Sequence, residues 1–272
     1  MNGASSVDLT LQKCRELIRE KRLIPFIGAG LSTRFRFPSW AQLIDLVAEE
    51  LGWDPDVFKL SGNFLQLAEY YVIERGSIGT LRSKLDKLFS ASDEQIHDSR
   101  SHVALAKLSP PLIYTTNYED SIERAFRLST KPYHVISNIR DIAAIDHGAT
   151  QIVKFHGTFS DDASLVLTES SYFERMEFET ALDIKLRADI LGRTLLFVGY
   201  GFGDINVRYV MYKLHKLRVL DKSLEDLPTG IMTTFSPGEV QRKVLNQWGV
   251  LTLELDPIDK DKSIDDFLEA LL

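Results

Sequence analysis

The chain of 272 residues has a single cysteine, Cys14, which excludes an intramolecular disulfide and a cysteine-based structural zinc site. No apolar run approaches the roughly 18 residues of a membrane-spanning helix, so no membrane association is expected. Met1 to Lys21 lacks an apolar core ahead of a small-residue cleavage site; it reads as an amphipathic helix with Leu11, Leu17 and Ile18 inward, and a cytoplasmic address is expected. Basic residues are outnumbered, with 32 Lys and Arg against 39 Asp and Glu. A formal net charge of -7 argues against a sequence-independent nucleic-acid binder, whose affinity comes from neutralising phosphates. The densest basic stretch, Lys213 to Arg218, has amphipathic spacing and reads as a solvated helix face, so no direct nucleic-acid contact is expected. His97, His102, His134, His147 and His215 lack metal-ligand spacing, and no metal site is expected.

What is present is an ordinary globular composition, 44% hydrophobic and 26% charged, in a chain long enough to fold without staples. Six β-rich runs recur: Leu23 to Ile27, Leu112 to Thr116, Ile152 to Phe155, Thr194 to Val198, Gly230 to Thr234 and Val250 to Leu255. They are continuously apolar and separated by helical patterns, as in a parallel sheet covered on both faces. The fold class is therefore α/β: a doubly wound, Rossmann-like parallel sheet of about six strands. From Gly28 to Pro111 the pattern is almost wholly helical, more than one crossover helix needs. An inserted helical subdomain is expected at residues 53–109, the sheet domain comprising 1–52 and 110–272. Ser39 with Gln42, and Asn63 with Gln66, read as capping boxes, and Ser263 to Leu272 as a closing helix.

Four constellations carry possible chemistry. Gly28-Ala29-Gly30-Leu31-Ser32-Thr33 joins a strand to a helix, where missing side chains let backbone N–H groups approach a pyrophosphate and Ser32 and Thr33 add hydroxyls. Thr33 stands where a dehydrogenase fingerprint has its third glycine, and no Gly-Lys-Ser/Thr ending marks a Walker loop. Asn117 ends the second run; its amide suits either a ligand or the N-cap of the helix that follows. His156 ends the third run before Gly157, suited to a general base near neutral pH or to satisfying local backbone groups. Gly199-Tyr200-Gly201-Phe202-Gly203-Asp204 leaves room for a ribose, with Asp204 able to bind a sugar hydroxyl or cap a helix.

Together with Pro38-Ser39-Trp40, Lys154-Phe155-His156-Gly157 and Leu167-Thr168-Glu169-Ser170-Ser171-Tyr172, and in this order from about Leu23 to Leu255, these segments resemble the sirtuin-like (silent information regulator) domain of bacterial anti-phage defence NADases. The resemblance implies that NAD is the substrate and that Asn117 and His156 are catalytic, Asn117 positioning a water and the ribose and His156 acting as base. It places the NAD phosphates near Gly28, Ala29, Gly30, Ser32 and Thr33, and the adenosine side near Gly199, Gly201 and Asp204. Protein-deacylating sirtuins carry a four-cysteine zinc module, whereas this chain has only Cys14, which disfavours a deacylase. Glu119 stands where many relatives have aspartate, with Asp120 beside it, leaving the nicotinamide-side contact open. The expected activity is NAD glycohydrolysis to nicotinamide and ADP-ribose by an anti-phage effector. The alternatives are a sirtuin-type deacylase or ADP-ribosyltransferase, or a non-catalytic NAD or ADP-ribose sensor. The resemblance also implies regulation by a partner subunit, either an ATPase or a nucleotide-sensing protein, or by homo-oligomer assembly.

Overall fold

A computed structural model of the chain describes residues 6–201, 205–218 and 227–272. Seven strands form one parallel sheet: β1 (Leu23–Ile27), β2 (Leu112–Thr115), β3 (Tyr133–Ile136), β4 (Thr150–Lys154), β5 (Thr194–Val198), β6 (Gly230–Phe235) and β7 (Val250–Leu255). Their order is β3-β4-β2-β1-β5-β6-β7. Six are those read from the sequence, and β3 is additional. It is a four-residue edge strand with only Ile136 buried, too short and too half-exposed to carry a continuous apolar signal.

The strands read as unbroken apolar runs because both faces are covered. In β1, Leu23 and Ile27 join a core under the helices Ser6–Arg19, Arg100–Leu108, Ser121–Leu128 and Lys260–Ala270. Ile24 and Phe26, one pleat away, join the opposite core under Ala181–Asp189, Ile205–Arg218 and Glu239–Gln247. A third apolar cluster belongs to the helices Trp40–Leu51, Pro55–Leu60, Phe64–Arg75 and Gly79–Leu88, closed by Phe159 and Leu167. Ala91, Ile96 and Ala104, further along, pack instead into the first sheet core. The Ser39–Gln42 and Asn63–Gln66 capping boxes start two of these helices, and Gly52 and Gly76 end them with φ of 76° and 72°.

Pro25 sits in the middle of the central strand, where proline is disfavoured because it donates no ladder hydrogen bond. Ile27 accepts from Thr116 N–H on the β2 side, whereas Gly28 N–H donates to Val198 on the β5 side. With a two-residue period, the missing Pro25 donor also faces β2. The β1–β2 register accordingly begins only at Phe26↔Tyr114, while β1–β5 pairing runs from Leu23 through Ile27.

The chain leaves β1 to build β2 on one side and returns to lay β5 on the other. That reversal makes the carboxyl ends of β1 and β5 a topological switch point, where α/β sheets open a crevice. Elsewhere, Arg218 of the basic stretch is buried, with its guanidinium donating to the carbonyls of Leu227, Pro228 and Ile190, so it braces the fold. Among the described residues no helix is long and apolar enough to cross a membrane.

Candidate active site

The turns after β1 and β5 interlock at the switch point. A Cβ on Gly28 would lie 2.7 Å from the Gly199 carbonyl oxygen, and one on Gly30 would lie 2.6 Å from the Gly199 Cα. Gly199 itself has φ +78°, and a Cβ there would press on the Leu31 nitrogen at 2.6 Å. Backbone donors are used in the same clasp: Gly28 N–H to Val198, Gly30 N–H to Gly199, Leu31 N–H to Gly28 and Ser32 N–H to Ala29. The glycines are thus required by loop-on-loop packing before any ligand arrives. Gly201 differs, since a Cβ there would meet nothing within 4 Å among the described residues.

Asn117, two residues past β2, is buried, and its backbone N–H donates to Thr115 Oγ1 at 3.0 Å. Its Nδ2 faces three acceptors: the Gly28 carbonyl (3.3 Å), Glu119 Oε1 (3.0 Å) and Ser32 Oγ (3.4 Å). Two of these only accept, which fixes the amide's orientation. Oδ1 is buried with no hydrogen-bond partner among the described residues, so it suits a water or sugar hydroxyl as donor. The N-cap alternative does not hold. The next helix begins at Ser121 with Asp120 before it, and Asn117 caps nothing.

Glu119 completes this cluster by also accepting from Ser32 Oγ at 2.6 Å, and burial pushes its carboxyl above the usual range against the opposing pull of Lys154 and the Ser32 bond. His156, two residues past β4, is buried, its ring lying 6.1 Å from Phe155 and edge-on to Tyr172 at 5.5 Å. Among the described residues no hydrogen bond reaches its ring nitrogens. Burial, and secondarily the Arg175 guanidinium, lowers its pKa to about 3, so the imidazole is neutral at physiological pH. Arg175 lies 4.6 Å over the Phe155 ring and pairs with buried Asp183. Gly157, with φ +85°, turns the chain so tightly that a Cβ would fall 2.1 Å from the Ser164 carbonyl oxygen.

One cavity of about 430 Å³ gathers these pieces. Ala29, Ser32, Thr33, Asn117, His156, Gly199 and Gly201 all line it. Gly28 and Gly30 lie behind this wall, Gly28 through its carbonyl to Asn117. The Thr33 hydroxyl is bonded to the Gly30 carbonyl and to Asp261 Oδ1. Asp204 lies outside the described residues. The volume is within the range of about 300–1,000 Å³ usual for small-molecule sites.

The family model of the SIR2-like domain matches residues 111–253. The chain belongs to the SIR2-like family. Among curated relatives, a protein named NAD(+) hydrolase ThsA from Enterococcus faecium is 32% identical over 74% of this chain and 41% of its own length. Its counterpart of the same name from Bacillus cereus is 29% identical over 76% of this chain and 43% of its own length. Defense-associated sirtuin 2 from Bacillus subtilis is 28% identical over 84% of this chain and 22% of its own length. The chain therefore spans less than half of each of these relatives.

Two features of this SIR2-like site lay beyond sequence reasoning. Glu119 was noted without a role, and it joins Asn117, two residues away, to Ser32, 87 positions away. The apolar wall of Phe37, Leu43, Phe89, Tyr118 and Tyr172 draws on four separate segments. Of these, Tyr118, beside Asn117, and Tyr172 lay in segments that signalled the family, whereas Phe37, Leu43 and Phe89 did not.

Proposed function

We propose that this chain is an NAD+ glycohydrolase unit that cleaves the bond between ribose C1′ and nicotinamide, releasing nicotinamide and ADP-ribose. Its role in this reading is the NAD+-depleting effector of a cytoplasmic anti-phage system acting by abortive infection. The observation that carries it is the convergence of Asn117 and His156, from adjacent strands β2 and β4, on one cavity bounded by the β1 and β5 turns. The relatives' names, NAD(+) hydrolase and defense-associated sirtuin, support the substrate and the setting.

Departure of nicotinamide leaves an oxocarbenium-like C1′, which needs orientation and a nearby base. Asn117, held through Nδ2, presents Oδ1 to the attacking water or a ribose hydroxyl. His156, which burial holds neutral but weakly basic, in this reading accepts the proton from that water or through the ribose hydroxyls. In this reading the phosphates lie against Ala29, Ser32 and Thr33, and the adenosine side against Gly199 and Gly201.

Uncontrolled hydrolysis would poison its host, so the reading includes restraint by a partner subunit, an ATPase or nucleotide sensor, or by homo-oligomer assembly. The inserted helical segment 53–109 is the contact surface we assign to it; exposed Trp53, Val57, Leu60, Phe64 and Ile73 support that assignment. Purified protein incubated with NAD+, alone and with the products of neighbouring genes, is expected to yield nicotinamide and ADP-ribose by mass. Absence of nicotinamide release in every assembly, or unchanged release in both Asn117→Ala and His156→Ala, would remove the proposal.

A further inference from the structure

Lys154, the last residue of β4, is 0% exposed, a placement lysine rarely takes unless paired. Its Nζ donates to the backbone carbonyl of Glu119 at 2.6 Å and lies 3.0 Å from Glu123 Oε1. The second oxygen of Glu123 is buried with no hydrogen-bond partner among the described residues. Desolvating both charges offsets much of their attraction, and such a pair is often replaceable by apolar residues without loss of stability. Stability is therefore a poor account of why the cation is there.

Its placement supplies a better one. Thr115 and Lys154 are register partners where β2 and β4 end, and the last ladder bond is Phe155 N–H to the Thr115 carbonyl at 2.7 Å. Past that point the two chains part, one carrying Asn117 and the other His156, each two residues on. The Lys154 side chain crosses the parting and holds the Glu119 carbonyl, behind Asn117. On its other sides Asn117 is held by Thr115 Oγ1, the Gly28 carbonyl and Glu119 Oε1. Without Lys154 the turn at 116–120 would lose its direct side-chain bond to β4 and keep the longer tie in which Tyr118 Oη donates to the Val166 carbonyl and Val166 N–H to the His156 carbonyl.

We infer that Lys154 is a positioning residue, a cross-brace that fixes Asn117 relative to His156. This rests on the NAD+ glycohydrolase reading for its catalytic consequence, though not for its mechanical one.

The test compares wild type with Lys154→Met/Glu123→Leu, which removes both charges together, and with Glu123→Gln, which keeps the lysine and its bond to the Glu119 carbonyl. For the double variant the expected result is a wild-type melting curve and KM, with kcat lower by about 100-fold, the scale of a misplacement near 1 Å. Amide hydrogen exchange at 116–120 is expected to rise about tenfold while β2 and β4 keep their protection. Glu123→Gln is expected to stay within about threefold of wild-type kcat. Unchanged kcat and exchange in the folded double variant would overturn the brace. So would a double variant that no longer folds, since the pair would then hold the fold, or a Glu123→Gln loss as large as the double variant's. If wild type releases no nicotinamide, the functional reading fails and the exchange data alone decide: faster exchange at 116–120 upholds the brace, unchanged exchange refutes it.

Discussion

Acidification separates the two buried neutral histidines from the rest of the molecule. His156 and His102 each have a pKa lowered to about 3, first by burial and then by a neighbouring guanidinium, Arg175 for His156 and Arg34 for His102. In the unfolded chain both titrate near the ordinary value of about 6.5. Between those values the unfolded state binds protons that the folded state refuses, so stability is full above about pH 6.5 and is lost as pH falls. From pH 7 to pH 5 each histidine should remove about 2 kcal/mol, and the pair about 4 kcal/mol. Buried Glu119, whose carboxyl is raised, contributes with the opposite sign, and comparison of variants with wild type cancels it. Urea titrations at pH 7, 6 and 5 on wild type, His102→Gln and His156→Gln measure these terms. Each variant should show about half of the histidine-dependent loss. Variants that keep the full wild-type pH dependence would refute the assignment, and with it the claim that His156 stays an unprotonated base across this range.

Gly157→Ala forces a side chain onto the Ser164 carbonyl at φ +85°, so a fall in stability of about 1–3 kcal/mol or more is expected, together with lost nicotinamide release. Gly30→Ala should also lower the melting temperature, because its Cβ meets the Gly199 backbone at 2.6 Å. Gly201→Ala meets no neighbour among the described residues and should leave stability within about 0.5 kcal/mol of wild type while weakening NAD+ binding measured by calorimetry. The Cys14 thiol, pushed up to about 12 by burial, should resist alkylation by iodoacetamide in the native protein at pH 8 and react once guanidinium unfolds it.

The sheet was largely legible because its central strands are buried on both faces and so read as continuous apolar runs. β3 was not: Pro132 precedes it, His134 interrupts it, and an edge position leaves most of it half-exposed. The strand-end residues Asn117 and His156 announced themselves through position, since a parallel sheet gathers its carboxyl ends at one edge. The glycines were legible as a tight strand-to-helix turn, but not their fit against Gly199 of the turn after β5, which lies about 170 residues further along the chain and which no local spacing encodes. Glu119 and Lys154 act through partners distant in sequence, Ser32 for the carboxylate and the Glu119 carbonyl for the ammonium, and no periodicity encodes such pairs.

The central claim, that Asn117 and His156 act on the same ribose, is tested most directly by a double-mutant cycle on nicotinamide release from NAD+. Groups that serve one transition state lose activity non-additively. Asn117→Ala, His156→Ala and the double variant should therefore fall to a similar floor, while still binding NAD+ in calorimetry. Losses that multiply in the double variant, or release that survives either single change, would contradict the account.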